Sequence, residues 1–292
     1  MFIDIEGNER YKVNLHTHTT RSDGEVDVEE CVRVYKNAGY DAIAITDHWK
    51  YFDEPEMDGL TLIRGCEYHY GSHDRPEGVF HIVGIGLKEH PDLKYGVSKP
   101  QDMVDGILKV GGFPILAHPA WSLDTVDAGL RIKNVYATEI YNTTSDIADV
   151  RGYSGAFVDG CAAAGRIYHL IASDDAHMYE DDAAVSAIMV KSRSKSADDL
   201  LDAIRAGDYY ATTGPEIHIR REGNKIYVRT SPVKKIAFFT NMPFHYIGRV
   251  TYSRHGVPVT EAEYAIRQYE TYIRAEAYGF DGTTAWSQII RV

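Results

Sequence analysis

Apolar positions in the first two thirds of the chain fall into short runs that alternate with segments of helical spacing. Residues 12–18 read as a strand, and Val28 to Ala38 as a helix with a mixed apolar face (Val28, Cys31, Val32, Val34, Tyr35, Ala38) stopped by Gly39. Asp41 to Thr46 is a nearly continuous apolar run, the pattern of a strand covered on both faces in a parallel sheet. Further strands are predicted over Leu60 to Cys66, Val79 to Leu87, Phe113 to Ala117, Tyr136 to Ile140, Arg166 to Ala172 and Ala184 to Lys191. Helices are predicted over Gln101 to Val110, Val150 to Ala164 and Ala197 to Ala206, the first ended by Gly111-Gly112 and the last by Gly207. Tyr68 to Gly78, rich in turn residues, reads as a loop that leaves His69 and His73 solvated, and Tyr141-Asn142 opens another.

Strands alternating with helices to about residue 210 predict an α/β domain with a mostly parallel sheet. After Thr212-Thr213-Gly214-Pro215 the pattern changes. Glu216 to Arg221, Lys225 to Thr230, Lys235 to Thr240, Phe244 to Tyr252, Glu270 to Tyr278 and Trp286 to Val292 carry β-branched and aromatic residues between turns, with only the flanks of Tyr264 ambiguous. The expected organisation is an α/β domain over residues 1–214 and a small all-β, sandwich-like domain over residues 215–292.

Composition narrows this little: of 292 residues, 44% are hydrophobic and 25% charged, which suits a globular protein and excludes a disordered or fibrous one. No apolar run is long enough to span a bilayer, and the first residues lack the basic and apolar regions of a secretory signal, so a cytoplasmic protein is expected. Cys31, Cys66 and Cys161 are odd in number and widely spaced, against a disulfide framework or a zinc ribbon. The net charge is −12, although residues 215–292 hold 11 basic and 7 acidic side chains, so the first domain is the strongly acidic one. Such a surface repels long nucleic acid and gains from bound cations.

The candidate chemistry gathers where predicted strands end. His16-Thr17-His18 places two imidazoles on one face of an extended segment, followed by Asp23 in a turn. His48, Glu67, His118, Asp175 and His177 sit at the carboxyl ends of later runs, and His81 near the start of its own. Six of the 13 histidines share this placement, which core histidines have no reason to do. Imidazole and carboxylate donors converging on the strand-end face of a barrel suit zinc, manganese or iron.

His16-Thr17-His18 with Ser22-Asp23-Gly24, Thr46-Asp47-His48, Gly65-Cys66-Glu67, Leu116-Ala117-His118-Pro119 and Asp175-Ala176-His177 resemble, in order, the motifs of the PHP (polymerase and histidinol phosphatase) family. The whole chain, closing on Asp281-Gly282-Thr283-Thr284-Ala285-Trp286-Ser287, is similar to stand-alone bacterial members of the carbaryl-hydrolase-like branch. The resemblance implies a distorted seven-stranded (β/α) TIM-like barrel with two or three divalent metal ions (Mn, Fe or Zn). His16, His18, Glu67 and Asp175 would hold one ion, Asp23, His48 and His177 a second, and Glu67 would bridge to a third on His81 and His118. Asp23, Glu67 and His177 would then act in the hydrolytic step itself. Asp174 stands where the family often has serine, so either Asp174 or Asp175 could be the ligand; Arg21 is another departure.

Such a cluster lowers the pKa of a bound water and supplies hydroxide at neutral pH, which implies hydrolysis. The expected activity is a phosphoesterase acting on a small phosphorylated metabolite, a nucleotide or sugar phosphate; the alternatives are carbamate, ester or amide hydrolysis on the same site, and a non-catalytic binding protein built on a degenerate barrel. Arg21 and Arg64 are candidate anion contacts, Tyr141 and Asn142 candidate pocket residues, and Trp121 a candidate stacking surface. Glu139 reads as a structuring residue, and Asp47 either as an orienter of His48 or as a helix cap.

Overall fold

A computed structural model of the chain describes residues 2–71, 78–243 and 248–292. The first elements are β1 (Phe2–Ile3), β2 (Glu9–Asn14), α1 (Val28–Asn37), β3 (Ala42–Ala44), β4 (Glu56–Met57), β5 (Leu60–Ile63), β6 (Gly65–Gly71) and β7 (Val79–Ile85). They are followed by α2 (Pro100–Lys109), β8 (Phe113–Leu116), α3 (Pro119–Ser122), α4 (Val126–Arg131), β9 (Ala137–Asn142), α5 (Thr143–Asp149), α6 (Gly155–Ala163) and β10 (His169–Ser173). Next come β11 (Ala187–Val190), α7 (Ala197–Ala206) and β12 (Tyr209–Thr212). The chain ends in strands only: β13 (Ile217–Glu222), β14 (Lys225–Val233), β15 (Lys235–Thr240), β16 (Val250–Tyr252), β17 (Val259–Ala265), β18 (Tyr272–Tyr278), β19 (Thr284–Trp286) and β20 (Ile290–Arg291).

Local chemistry accounts for the helices found where expected. Asp27 caps α1 by accepting from the Glu30 N–H, acidic residues fill its first turn, and Cys31, Val32 and Tyr35 form its buried stripe. Ser196 caps α7, and Gly207, at φ 77°, ends it in the left-handed conformation.

The strands that hold the site belong to two sheets. In one, β2 pairs in parallel with β3 and β3 with β5; the other runs in the order β10-β9-β8-β7-β6. The sheets meet at two isolated parallel bridges, Thr17 with Ala176 and His48 with Glu67, and no continuous ladder closes the circuit among the described residues. β10, β9 and β8 are parallel, but β7 is antiparallel to both β6 and β8. The expectation of a mostly parallel sheet is corrected there. β6 ends at Gly71 and β7 begins at Val79, a separation shorter than the dozen or more residues a parallel crossover needs.

Five of the C-terminal strands, β15, β16, β18, β19 and β20, join the large sheet of the α/β part. β18 pairs with β19, β19 with β12, β12 with β11 and β11 with β2, so a single sheet runs from the terminal strands into the α/β part. A second layer, β13-β14-β17, lies on it. Ile217, Ile226, Val228, Phe238, Ile273 and Ala277 form the core between the layers, joined by Met189 and Tyr210 from β11 and β12. Arg274 of β18 is fully buried, bonds to Asp159 of α6 and to Glu276, and lies over the Phe239 ring at 4.1 Å.

Other differences are local. Arg64 interrupts the strand expected over Leu60 to Cys66, and β6 continues through Tyr68 to Gly71, where a loop was expected. Asn142 caps α5 by accepting from the Ser145 N–H, so a helix replaces the predicted loop and the following helix starts at Gly155. The region around Tyr264 is strand β17, and α3, α4 and β12 were not expected. His73 and residues 244–247 lie outside the described residues.

Candidate metal centre

β2 ends at Asn14, so His16 and His18 stand on the extended segment beyond it. Thr17, between them, faces away: it is fully buried, forms the bridge to Ala176, and its hydroxyl donates to the Ala44 carbonyl at 2.7 Å. Alternation then turns both imidazoles to the other side. The chain next makes a tight turn to Asp23. Buried Asp47 holds that turn by accepting from the Thr19 N–H, the Thr19 hydroxyl and the Ser22 hydroxyl at 2.7 to 2.8 Å. It caps no helix, and none of these bonds reaches the His48 ring, so its role is to hold the turn. Gly24 fits because a Cβ there would lie 2.5 Å from the His18 carbonyl oxygen.

Glu67 is buried on β6. His81 is near the amino end of β7, and because β7 is inverted, that end lies beside the carboxyl ends of its neighbours. His118 and Asp175 follow β8 and β10 with φ of 27° and 58°, conformations that non-glycine residues adopt at a strain cost and that occur most often at functional sites. Asp175 and Asp174 are told apart by their partners. Asp174 accepts from the Tyr35 and Thr143 hydroxyls and from the N–H groups of Ala184, Val185 and Ser186, away from the histidines. The Asp175 Oδ1 atom lies 3.0 Å from Nε2 of both His16 and His18.

The first donor group is close-set. His16 Nε2 and His18 Nε2 are 3.2 Å apart, and Glu67 Oε2 is 3.4 and 3.2 Å from them. A second group joins Asp23 to His48 and His177, each 3.6 Å away, with His18 beside them. In the third, Glu67 Oε1 lies 2.8 Å from His81 Nδ1 and 3.5 Å from His118 Nε2, while His48 Nδ1 is 2.9 Å from Oε2. Burial alone would depress His16 and His18, but the carboxylates around them, Asp175 and Glu67 foremost, pull both well above the ordinary imidazole range. Burial also opposes the charge on Glu67, yet His48, His16 and His81 hold it well below the usual carboxylate range.

These residues fit a metal ion. Glu67 Oε2 and Asp175 Oδ1 are buried acceptors with no hydrogen-bond donor, an arrangement a folded protein avoids unless something else fills it. Ligands held at about 2.0–2.1 Å from one small cation in tetrahedral array lie roughly 3.3 Å from each other, close to the 3.0 to 3.4 Å found in the first group. Outside the donors, buried Glu139 accepts from His16 Nδ1 at 2.8 Å, from the His118 N–H at 2.8 Å, and from Asn142 and Ser173. Its bond to Nδ1 leaves the His16 Nε2 lone pair for a cation.

Every residue expected to bind metal therefore lies in one cluster. Of the candidate substrate contacts, Trp121 lines the cavity above that cluster, and Arg21, Arg64 and Asn142 do not. Exposed Arg21 donates to the Tyr51 carbonyl and lies over Phe52, held there by local contacts, and it does not line the cavity above the cluster. Arg64 donates to the Asp53 carbonyl and lines a different cavity. Asn142 is buried, its two amide donors spent on Glu139 and Asp175, so it positions Asp175 instead of meeting substrate. His69, expected to be solvated, is half-buried on β6, its ring stacked on His81 at 5.4 Å and its Nδ1 3.4 Å from that of His48. The spacing Glu67-x-His69 on a strand carried that signal, as His16-x-His18 did.

The cavity above the cluster has a volume of about 260 Å³. Its walls beyond the donors are Trp121, Thr144, Ser145, Ala148 and Asp149, four of them on α5. Asn142 followed by Thr143-Thr144-Ser145-Asp146 is the capping signal that could have revealed that helix.

The fold and the donor set define a mixed α/β protein organised around a centre suited to several cations. The chain belongs to the PHP domain family, whose model matches residues 14–283. Among solved structures, it is similar to a two-domain protein from Bacteroides vulgatus containing a predicted PHP-like metal-dependent phosphoesterase, at 16% identity and TM-score 0.54, covering 100% of this chain and 97% of that one. It is also similar to an amidohydrolase from Chromobacterium violaceum with bound sulfate and no metal, at 14% identity and TM-score 0.41, covering 58% of this chain and 89% of that one. A proposed metal-dependent phosphoesterase from Bifidobacterium adolescentis aligns at 12% identity and TM-score 0.45, over 67% of this chain and 96% of that one. No curated protein matches the chain.

Proposed function

We propose that the chain is a metal-dependent hydrolase, and within that class a phosphoesterase that cleaves a small phosphorylated metabolite. The observation that carries the reading is the convergence of His16, His18, Glu67 and Asp175 on one point, with two buried carboxylate oxygens left without donors. His16 and His18 would bind through Nε2 with Glu67 and Asp175, whereas Asp23, His48 and His177 would hold a second ion and His81 and His118 a third. Glu67 would link the groups, one oxygen facing the first and the other facing His81. Divalent cations held there would supply a nucleophile at neutral pH and offset charge on a phosphoryl group. The protein's own part is positional: Glu139 sets the tautomer of His16, Asn142 holds Asp175, and Asp47 fixes the turn that carries Asp23.

In this reading residues 1–214 form the distorted seven-stranded (β/α) barrel, its ring made by β2, β3 and β6 to β10 with the two single bridges as seams. Residues 215–292 form the accessory sandwich. Manganese, iron and zinc all suit the donor set.

A second reading, hydrolysis of a carbamate, ester or amide, draws on one feature: among the described residues, no lysine or arginine lines the cavity. The test is a panel on protein loaded with Mn²⁺ or Zn²⁺, comparing 4-nitrophenyl phosphate and bis(4-nitrophenyl) phosphate with 4-nitrophenyl acetate and an aryl carbamate. Turnover of the phosphates that is lost on chelation supports the first reading. Turnover of the carbon esters alone replaces it with the second.

A further inference from the structure

We propose that Asp182 is the positioning residue of the second ion: it fixes the segment that carries His177 and joins that segment to the cavity wall. The proposal rests on the reading of Asp23, His48 and His177 as donors to one ion, and it concerns what holds that group in shape.

Asp182 is fully buried in the stretch between β10 and β11. Its Oδ2 atom accepts from the N–H groups of His177 and Met178 at 2.8 and 3.0 Å, and its Oδ1 atom from the Tyr179 N–H at 2.6 Å. The Thr144 hydroxyl of α5 lies 3.0 Å from Oδ2 and 2.8 Å from the Asp175 carbonyl oxygen. One carboxylate thus gathers three successive backbone donors of the loop and a residue that lines the cavity. Bonds from N–H groups to a charged acceptor are the stronger kind. Removing that acceptor leaves three adjacent N–H groups unpaired, and the segment loses its fixed course.

His177 depends on that course. Its Nδ1 lies 2.6 Å from the Asp175 carbonyl oxygen, to which it donates, so Nε2, 3.6 Å from Asp23 Oδ1, is left with its lone pair for a cation. The ring stacks on that of His18 at 4.2 Å, and the His177 carbonyl accepts from the Glu25 N–H at 2.8 Å. The first two contacts fix the ring, while the bonds to Glu25 and Asp182 fix the backbone beneath it. The dependence is selective, because the two donor groups are held differently. The side chains of Asp23, His48 and His177 are 52%, 19% and 25% exposed, against 9% or less for His16, His18, Glu67 and Asp175. Surrounding structure encloses the first group, whereas the second takes His177 from a loop. Asp174 provides the contrast: it pins the far end of the same stretch through Ala184, Val185 and Ser186, not through His177.

The test is a titration of the metal-free protein with Mn²⁺, the unbound ion being followed by electron paramagnetic resonance, which gives the number of ions bound and the affinity of each. His177→Ala identifies the step that belongs to the second group. Asp182→Ala should weaken that step at least about tenfold and the other steps by less than about threefold, the scale of effect seen when a residue that orients a ligand is removed. Asp182→Asn keeps one acceptor oxygen, which preserves the fold if alanine does not, and should weaken the same step about three- to tenfold. Asp174→Asn should leave it within about twofold of the parent, since Asp174 touches no donor of that group. Folded Asp182 variants that bind every ion within about twofold of the parent overturn the proposal. Equal weakening of all steps, or of the same step in Asp174→Asn, also overturns it, because either would show a merely structural role. The parent's own titration tests the underlying reading: uptake of one ion or none, or no step altered by His177→Ala, removes the second ion and the proposal with it. No substrate enters the titration, so its outcome is independent of whether phosphate or carbon esters are cleaved.

Discussion

Glu139→Gln separates positioning from ligation at this centre. The carboxylate is 1% exposed and accepts four hydrogen bonds: His16 Nδ1 and the Ser173 hydroxyl on Oε1, and the His118 N–H and Asn142 Nδ2 on Oε2. Glutamine keeps one acceptor oxygen, so in either amide orientation two donors face an NH₂ group. Hydrogen bonds to a charged group contribute about 1.5–3 kcal/mol each, so losing two costs about 3–6 kcal/mol before relaxation. We expect a loss of about 2–4 kcal/mol in metal-free stability once the pocket adjusts, in the upper range for single substitutions. Metal affinity should fall about 10- to 100-fold, the usual effect of removing the partner that orients a ligating histidine. Competition with a chromophoric chelator measures the affinity, and urea unfolding the stability. Ser173→Ala, which removes one neutral donor, serves as the comparison and should change metal affinity by less than about threefold. Glu139→Gln that binds metal within twofold of the parent would refute the claim that Glu139 sets the His16 tautomer.

Asp174 and Asp175 should behave as opposites: Asp174→Asn should lower stability by about 2–4 kcal/mol yet still load metal at saturation, because its five partners are all structural. Asp175→Asn should lose metal with a smaller loss of stability, and metal analysis beside urea melts would expose the reverse pattern. Arg274→Ala leaves Glu276 buried and Asp159 unpaired, and should destabilise by about 3–5 kcal/mol, read as a drop in Tm; a change under 1 kcal/mol would show that the pair is not needed. Burial pushes the Asp124 carboxyl up to about 7 from 3.8, and its Oδ2 has no hydrogen-bond donor. The folded state therefore keeps a proton that the unfolded chain releases, so this group costs stability as pH rises from about 4 to 7, on the order of 2 kcal/mol between pH 5 and 8. Asp124→Asn should remove that share of the slope, and parallel slopes for the two proteins would dismiss it.

Much of the candidate centre was legible because donors suited to metal recur by type and position. His16 and His18 lie just beyond β2, as a strand-end rule expects, whereas Glu67 stands inside β6 and Asp175 was left open against Asp174. The alternation rule also held Glu67-x-His69, but the turn-rich residues after His69 masked the strand, and β6 runs to Gly71 before they begin. His81 was expected near the start of its run without a reason; the reason is the inverted direction of β7, which no one-dimensional pattern records. Arg21 failed for a different cause. A guanidinium beside a motif looks like an anion contact, but a nearby backbone carbonyl, that of Tyr51, and the Phe52 ring hold it outside the cavity. In the C-terminal part, alternation disclosed the strands but could not show that β19 continues the sheet through β12 into the α/β part, since pairing partners leave no local trace.

The seams between the two sheets and the centre are the same place. One seam is the bridge between Thr17 and Ala176, and the residues on either side of each are His16 and His18, Asp175 and His177. The other joins His48 directly to Glu67. Each seam has a single bridge where a normal ladder has several, so the backbone there holds the sheets together weakly. The side chains projecting from it are the ones that bring carboxylates into close contact. Glu67, Asp175 and Glu139 are all buried within this cluster, and such groups are stable together only with positive charge between them. Cations bound by His16, His18, Glu67 and Asp175 would supply that charge and, by tying residues of both sheets to one point, do the work of the missing ladder. Metal binding and closure of the fold are on this view one equilibrium, in keeping with the coupling of metal sites to folding. On that view the ions that would serve the proposed chemistry would also help to keep the two sheets in register.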